Sequence, residues 1–247
     1  MNNAPIILIH GWGMNKQVWN GVINACEPSL VHRIKVLDMP GYGDNLNCPS
    51  PYDIEALVAW LKSEVREPSH IIGWSLGGLL AQKFANIYPA QTLSLGLVAS
   101  TPKFVAEGNW PGIKSEVLQA FSNQLTVSHE QTVKRFLKIQ ALGSESIKKD
   151  LKDIQDWVFS ANPPNPKALV AGLKMLEEVD LRDTLATIQP PVFALFGGRD
   201  SLVPLTTAQR LSEKLPTIRI SVQNKDSHAP FISNKDEFIR WLRTNFN

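Results

Sequence analysis

Short apolar runs alternate with segments of helical periodicity over much of the chain. The apolar runs have the length and composition of buried strands and occur at Ile6–Ile9, Ile34–Leu37, Ile71–Ile72, Leu93–Val98, Val192–Phe196 and Ile218–Val222. A helix is predicted after each apolar run. The first three lie near Gln17–Ala25, near Ile54–Val65 and directly after Ser75. Continuously apolar strands separated by helices form parallel sheets that are covered on both faces. The pattern therefore predicts a mostly parallel, doubly wound α/β fold.

The strand pattern disappears between about Lys103 and Asp180, where helical periodicity replaces it. Four helices are predicted, near Ile113–Leu125, His129–Leu142, Ser144–Phe159 and Pro166–Glu178. Ser128 and Gln131 form a capping-box pattern at the start of the second. Helices inserted in an α/β core usually cover a ligand site at the carboxyl ends of the strands. We therefore predict a helical lid at residues 103–180 in a core made of residues 1–102 and 181–247.

Composition narrows the function classes. The 247 residues are 43% hydrophobic and carry a net charge of +2, without a long Lys/Arg block, which argues against a nucleic-acid-binding protein. The N-terminus lacks a signal-peptide pattern, and no apolar run approaches the roughly 18 residues that a membrane helix needs. The cysteines Cys26 and Cys48 are too few for a disulfide framework and indicate a reducing compartment. We expect a cytoplasmic monomer with no membrane partner.

A nucleophile-elbow pattern is formed by Gly73-Trp74-Ser75-Leu76-Gly77. An apolar run precedes Ser75 and helical periodicity follows it, so the serine is predicted at a sharp strand-to-helix turn. Such a turn crowds the neighbouring backbone, which explains a glycine two residues on either side. Because a hydroxyl is a weak nucleophile, the pattern predicts a base nearby.

An acid and a base follow Ser75 in the order that a serine triad on an α/β sheet requires. Asp200 lies in the loop after the strand Val192–Phe196, and His228 lies in the loop after Ile218–Val222. We predict that Asp200 orients His228 and that His228 accepts the proton of Ser75. Asp226 and, less favoured, Asp38 are the alternative acids.

The negative oxygen of a tetrahedral intermediate needs backbone N–H donors that are already in place. The amide of Leu76 is one predicted donor, and the amide of Trp12, in the loop after the first strand, is the second. His10 is expected to brace this loop, while Trp12 and Trp74 are expected to form walls of an acyl pocket. The five histidines show no paired ligand spacing, so we expect neither a metal nor a cofactor.

These motifs give the chain a resemblance to the α/β-hydrolase superfamily over nearly its whole length. Within it, the sequence resembles the family of esterases that act on pimeloyl-acyl-carrier protein methyl ester in biotin synthesis. The shared segments are His10-Gly11-Trp12-Gly13, Gly73-Trp74-Ser75-Leu76-Gly77-Gly78, Trp110-Pro111-Gly112-Ile113-Lys114, Arg135-Phe136-Leu137, Val179-Asp180-Leu181-Arg182 and His228-Ala229-Pro230-Phe231-Ile232-Ser233. The elbow and the triad are common to the whole superfamily, whereas the Trp-Pro-Gly-Ile-Lys and His-Ala-Pro-Phe-Ile-Ser segments are far more selective.

The resemblance implies a substrate and a partner. Members of the family cleave the methyl ester of a pimeloyl group carried on the phosphopantetheine arm of acyl-carrier protein. The implied substrate contacts are Trp12, Ser75, Leu76, Phe136, Leu137, Lys138, Ile139, Gln140 and His228. The implied docking residues for the acidic carrier are Arg135, Lys148 and Lys152, whereas Gln131 replaces an arginine of the family. Members of the family usually have an extra strand or hairpin before the His-Gly strand, whereas only Met1 to Pro5 precede Ile6 here. A sheet shorter than theirs by a strand or two is therefore expected.

Other functions remain open. The same triad serves a generalist carboxylesterase, a thioesterase and a C–C bond hydrolase, since a fold does not determine a substrate. Haloalkane dehalogenases and epoxide hydrolases are disfavoured because they have aspartate at the position of Ser75. A non-enzymatic ligand receptor on the same fold is a further alternative, and the intact triad argues against it.

Overall fold

A computed structural model describes residues 4–142 and 147–246 of the chain. Within them, six strands form one sheet in the order β2-β1-β3-β4-β5-β6, and every neighbouring pair is parallel. The strands are β1 Ile6–Ile9, β2 Ile34–Leu37, β3 Ser69–Trp74, β4 Thr92–Val98, β5 Val192–Gly197 and β6 Arg219–Gln223. All six strands predicted from apolar runs are present. The α/β fold with a parallel sheet is confirmed.

Helices connect the strands and cover the sheet. In chain order they are α1 Asn20–Ala25, α2 Pro28–Val31, α3 Ile54–Glu64, α4 Leu76–Ile87, α5 Ser115–Val127, α6 His129–Ala141, α7 Ile147–Val158, α8 Pro166–Glu178, α9 Thr206–Lys214, α10 Pro230–Ser233 and α11 Lys235–Asn245. Every residue of β1, β3 and β5 is buried, because helices lie on both faces of these strands. None of the helices in the described part of the chain combines the length and hydrophobicity that crossing a membrane requires.

The helix predicted near Gln17–Ala25 is divided in two. A 3₁₀ turn at Lys16–Trp19 begins at Asn15, whose side chain accepts a hydrogen bond from the amide of Gln17. The α-helical part, α1, starts only at Asn20. Capping by Asn15 tightens the first turn, a local preference that the apolar spacing does not reveal.

Helices α5 to α8 all lie between β4 and β5, and α6 begins at the predicted cap Ser128. The predicted bounds of α8 are those observed, whereas α5 and α6 differ from prediction by at most two residues at an end. The start predicted for the third helix, at Ser144, lies outside the described residues. The division into core and lid, and the shorter sheet, stay predictions.

The two ends of this helical segment meet at one point, which we call the neck and define by Pro102, Lys103, Asp180 and Leu181. The amide of Leu181 donates to the carbonyl of Pro102 at 2.9 Å, and Lys103 Nζ lies 3.3 Å from Asp180 Oδ2. Burial acts to raise the pKa of Asp180, but hydrogen bonds from Arg182 outweigh it and lower this pKa to about 2. Asp180 is therefore a carboxylate at neutral pH.

Candidate active site

Ser75 lies at the junction of β3 and α4 in a strained backbone conformation. Its φ is 54° and its ψ is −120°, outside the regions that a non-glycine residue normally adopts. The amide of Ser75 donates to the carbonyl of Val98 at 3.0 Å, and the carbonyl of Ser75 accepts from Ser100 Oγ at 2.8 Å. The last residue of β4 and a serine two residues beyond it thus bind the backbone N–H and C=O of Ser75, which sustains the strained conformation.

The glycines on either side of Ser75 are required by close backbone contacts. A Cβ on Gly73 would lie 2.1 Å from the carbonyl oxygen of Gly77, and a Cβ on Gly77 would lie 2.5 Å from the carbonyl oxygen of His10. No side chain fits at either position. The crowding predicted for a nucleophile elbow is present.

Asp200 and His228 are hydrogen-bonded to each other in the structure. His228 Nδ1 lies 2.8 Å from Asp200 Oδ2, and both side chains are buried. Asp200 Oδ1 accepts from the amides of Leu202 at 2.8 Å and Val203 at 3.0 Å, which fixes the carboxylate. A carboxylate can only accept, so Nδ1 carries a proton, and the neutral tautomer compatible with this bond has an unprotonated Nε2. In the described part of the chain, this buried Nε2 has no hydrogen-bond partner.

The alternative acid Asp38 is committed elsewhere. Its Oδ1 accepts from the amide of Lys16 at 2.6 Å, and its Oδ2 accepts from the amide of Asp44 at 2.9 Å. Lys16 Nζ also lies 3.5 Å from Asp38 Oδ2. Asp38 therefore orders the loop after β2, whereas Asp200 is the carboxylate bound to the ring of His228.

Trp74 links the loop of His228 to the elbow. Its indole Nε1 donates to the carbonyl of His228 at 2.7 Å, and its ring lies 5.8 Å from the imidazole, centroid to centroid. His228 is thus anchored to the residue next to Ser75. Ser75 and His228 are each only 1% exposed, so the site is closed in this conformation.

The loop after β1 lies directly against the elbow. A Cβ built on Gly11 would be 3.1 Å from Cβ of Ser75. His10 braces this loop as predicted, since its Nδ1 donates to the carbonyl of Gly11 at 2.8 Å and its Nε2 accepts from the amide of Met39 at 3.0 Å. Burial lowers the pKa of His10, so the ring is neutral. With both nitrogens occupied, His10 cannot act as a base.

The amides predicted to form the oxyanion hole belong to the residue after Ser75 and to the loop that contacts Ser75 at Gly11. Leu76 is the first residue of α4, so its N–H belongs to the amides that have no acceptor within the helix. The positive end of the α4 dipole also faces this point. Trp12 follows Gly11 in the opposing loop. The assignment of both amides as oxyanion donors stays a prediction.

Trp12 connects the core to the inserted helices. Its Nε1 donates to the carbonyl of Leu169 in α8 at 2.8 Å, and its ring packs edge-on against Phe136 of α6 with centroids 4.7 Å apart. Asn15 Nδ2 donates to the carbonyl of Val158 at the end of α7 at 3.1 Å. The helices are therefore fastened onto the loop that adjoins Ser75.

The five consecutive residues implied as acyl contacts do not share one face of α6. Phe136, Leu137 and Gln140 are buried, Ile139 is half-buried and Lys138 is exposed. A helix turns about 100° per residue, so five consecutive side chains must point in different directions. The structure does not bring Lys138 to the buried site. Gln140 is fully buried, and its side-chain amide has no hydrogen-bond partner within the described residues.

The three cations implied as docking residues lie on two neighbouring helices. Arg135 is exposed on α6, where its Nη1 donates to Gln124 Oε1 at 3.1 Å and its guanidinium lies 5.6 Å from the ring centre of Phe121. Lys148 and Lys152 are exposed one turn apart on α7, so they share a face.

Two hydroxyls at the site were missed from the sequence. Ser100 Oγ holds the carbonyl of Ser75, and Ser227 Oγ donates to the carbonyl of Gln140 at 2.7 Å. Both partners are backbone carbonyls distant in the sequence, and no local pattern indicates such bonds. For metals, residues 4–142 and 147–246 contain no group of three or more His, Cys, Asp or Glu side chains able to hold an ion.

A parallel sheet of this order, with a strained serine at the elbow and an Asp–His pair whose histidine is bonded to Trp74, the residue before that serine, defines a class of proteins. The model of the alpha/beta hydrolase family matches residues 6–241, and the chain belongs to this family. Within the family, it is 42% identical over 238 residues to a pimeloyl-[acyl-carrier protein] methyl ester esterase of Aeromonas hydrophila, covering 95% of this chain and 92% of the relative. The Vibrio vulnificus protein of the same name is 41% identical over 237 residues, covering 96% and 92%.

Solved structures agree on the fold. An esterase from Exiguobacterium antarcticum superposes with a TM-score of 0.85 at 20% identity, over 98% of this chain and 91% of that one. A bromoperoxidase from Bacillus anthracis gives a TM-score of 0.84 at 17% identity, over 98% and 91%. At these identities the likeness extends to the fold alone.

Proposed function

We propose that this protein is a serine carboxylesterase that hydrolyses the methyl ester of pimeloyl-acyl-carrier protein. The hydrogen bond of 2.8 Å between Asp200 and His228, beside the strained Ser75, carries the proposal of serine hydrolysis. The choice of substrate rests on relatives of that name that are 42% and 41% identical over nearly the whole chain.

The chemistry follows from the protonation of the triad. Ser75 Oγ attacks the ester carbonyl while His228 Nε2 takes its proton, and Asp200 stabilises the imidazolium that forms. The amides of Leu76 and Trp12 donate to the negative oxygen. The imidazolium then protonates the leaving methoxide, which departs as methanol and leaves Ser75 acylated. Water, deprotonated by His228, cleaves the acyl-enzyme to the free carboxylate and restores the hydroxyl of Ser75.

We further propose that residues 103–180 form a lid over this site. The inserted helices bear on the loop of Trp12 through α6 and α8, and Phe136, Leu137 and Gln140 supply buried surface for an acyl chain. An apolar groove of about 400 Å³, which includes Val133 and Leu169, runs between α6 and the start of α8. It adjoins the same loop and supports access for a long acyl chain on a flexible arm.

The test is hydrolysis of two substrates by the same preparation. We expect release of methanol from pimeloyl-carrier methyl ester and of p-nitrophenol from p-nitrophenyl butyrate. Ser75→Ala is expected to lower kcat on both by at least about 10³-fold, because the nucleophile is lost. Ser63→Ala, which changes an exposed serine of α3, is the matched control and should retain full activity.

Each other outcome contradicts a specific part of the proposal. Activity retained by Ser75→Ala would exclude this serine as the nucleophile. Cleavage of p-nitrophenyl butyrate without demethylation of the carrier substrate would favour a generalist carboxylesterase. Binding of ligands without hydrolysis of any ester would favour a receptor.

A further inference from the structure

The hydroxyl of Ser227 joins the loop of the base to an inserted helix. Ser227 directly precedes His228 and is buried, and its Oγ donates to the carbonyl of Gln140 at 2.7 Å. The two residues are 87 positions apart in the sequence, so only the folded arrangement brings them together.

The acceptor is a carbonyl that α6 cannot satisfy by itself. Gln140 lies in the last turn of α6, which ends at Ala141, and carbonyls of a last turn have no amide four residues further along the helix. A buried carbonyl without a donor costs about 1–3 kcal/mol. Ser227 therefore stabilises the end of α6 only while this helix is seated on the base loop.

The other observed restraints on His228 come from the core. Asp200 holds the ring at Nδ1, and Trp74 holds the backbone carbonyl. Ser227 differs because its partner belongs to the inserted helices. The position of the base thus depends on the position of α6.

Substrate cannot reach the site in this conformation, since Ser75 and His228 are each 1% exposed. A movement of α6 away from the core would break the bond from Ser227 to Gln140, and closure would restore it. We propose that Ser227 is a positioning residue that couples the closure of α6 to the orientation of His228. This inference rests on the proposed serine hydrolysis, and it adds that the base is fully aligned only in the closed form.

Ser227→Ala tests the coupling, with Ser69→Ala as the matched control. Ser69 is equally buried, and its Oγ donates to the carbonyl of Glu67 at 2.8 Å, at the opposite end of β3 from Ser75. Both changes delete one buried hydroxyl, so both are expected to lower the Tm. The concentration of active sites is measured by titration with a phosphonate, and kcat is expressed per titrated site. We expect only Ser227→Ala to lower this kcat on p-nitrophenyl butyrate, by about tenfold, with KM changed less than about twofold.

A spectroscopic signature separates positioning from stability. The proton on Nδ1 of His228 should give a downfield NMR signal in the wild type, and looser alignment in Ser227→Ala should broaden it while Ser69→Ala preserves it. Ser227→Cys keeps a similar size with a weaker donor, and it should lower kcat in the same direction if the alanine variant does not fold.

Equal kcat per titrated site in Ser227→Ala and Ser69→Ala would overturn the coupling. That result leaves the proposed function standing, because the wild type still hydrolyses the ester. Failure of the wild type to hydrolyse any ester would instead refute the proposed function itself.

Discussion

The conformation of Ser75 is maintained by its neighbours at a local energetic cost. A non-glycine residue in such a region costs about 1–3 kcal/mol, and Ala99 at the end of β4 also has a positive φ of 43°. The two strained residues adjoin each other through the bonds of Ser75 to Val98 and Ser100. The strained turn places Ser75 at the end of the sheet, where regular strand or helix geometry would not place it, as the proposed role of nucleophile requires.

At Asp200, exchanging a carboxylate for an amide should disable the base without enlarging a cavity. In Asp200→Asn, the amide NH₂ can donate to Nδ1 of His228, which favours the tautomer with its proton on Nε2. That tautomer cannot accept the proton of Ser75. We expect kcat on p-nitrophenyl butyrate to fall about 10³–10⁴-fold, with a change in KM of less than about threefold, as measured by steady-state kinetics.

Asp226→Asn is the matched control, because Asp226 is also buried and lies two residues before His228. It should retain kcat within about threefold of the wild type. A larger loss in Asp226→Asn than in Asp200→Asn would reverse the assignment of the acid.

The sequence is informative about residues whose chemistry has a fixed order or spacing. Ser75, Asp200 and His228 could be proposed as a triad because each follows an apolar strand, and the elbow glycines mark the turn. Ser100 and Ser227 could not, because a serine that donates to a distant carbonyl looks like any other serine. Lys138 was included through resemblance, and its position on the outer face of α6 follows from helix geometry.

Among the elements, strands were predicted best. A strand buried on both faces, such as β1 or β5, is mostly apolar, so its run of residues stands out in the sequence. The turn at Lys16–Trp19 was missed because a side-chain cap, not hydrophobic spacing, determines it. The contacts of α6 with Trp12 and Ser227 depend on tertiary packing, which periodicity alone cannot supply.

The charged face of α7 offers a test of carrier docking. Lys148→Glu with Lys152→Glu reverses two exposed charges on one face without touching the buried site. Electrostatic attraction to an acidic carrier should become repulsion, so KM for pimeloyl-carrier methyl ester should rise about tenfold. We expect kcat/KM for p-nitrophenyl butyrate to stay within about twofold, since that substrate carries no carrier.

Lys167→Glu with Lys174→Glu is the matched control, because it makes the same change of charge at exposed positions of α8. It should affect the carrier substrate much less. Parallel losses on both substrates in the α7 variant would indicate damage to the fold, and equal losses in the two double variants would indicate an unspecific charge effect.

For the whole molecule, buried histidines predict a loss of stability in acid. His70 on β3 is 5% exposed, and its Nδ1 lies 2.7 Å from Ser94 Oγ. Burial and, to a smaller extent, the charge of Arg33 lower the pKa of His70 from 6.5 to about 4. Below pH 6.5, His70 is protonated in the unfolded chain but stays neutral in the folded chain until the pH approaches 4. The free energy of unfolding therefore decreases as the pH falls from 6.5 towards 4.

We expect the free energy of unfolding in urea to fall by about 1–2 kcal/mol more between pH 7 and pH 5 in the wild type than in His70→Asn. His32→Asn replaces an exposed histidine, and its free energy of unfolding should depend on pH as that of the wild type does. If His70→Asn left the pH dependence of the free energy of unfolding unchanged, the acid sensitivity would belong to other groups, such as the buried His10.

The neck at Pro102 and Leu181 has a consequence for how related enzymes can differ. Because the amide of Leu181 is bonded to the carbonyl of Pro102, the chain leaves the core and returns to it at one place. The entropic cost of closing an inserted segment grows only slowly with the number of residues in it. The intervening helices can therefore be lengthened, shortened or exchanged as a block while β4 and β5 keep their pairing. Selection can thus alter the inserted helices without disturbing the sheet, whereas α6 stays tied to the loop of His228 through Ser227.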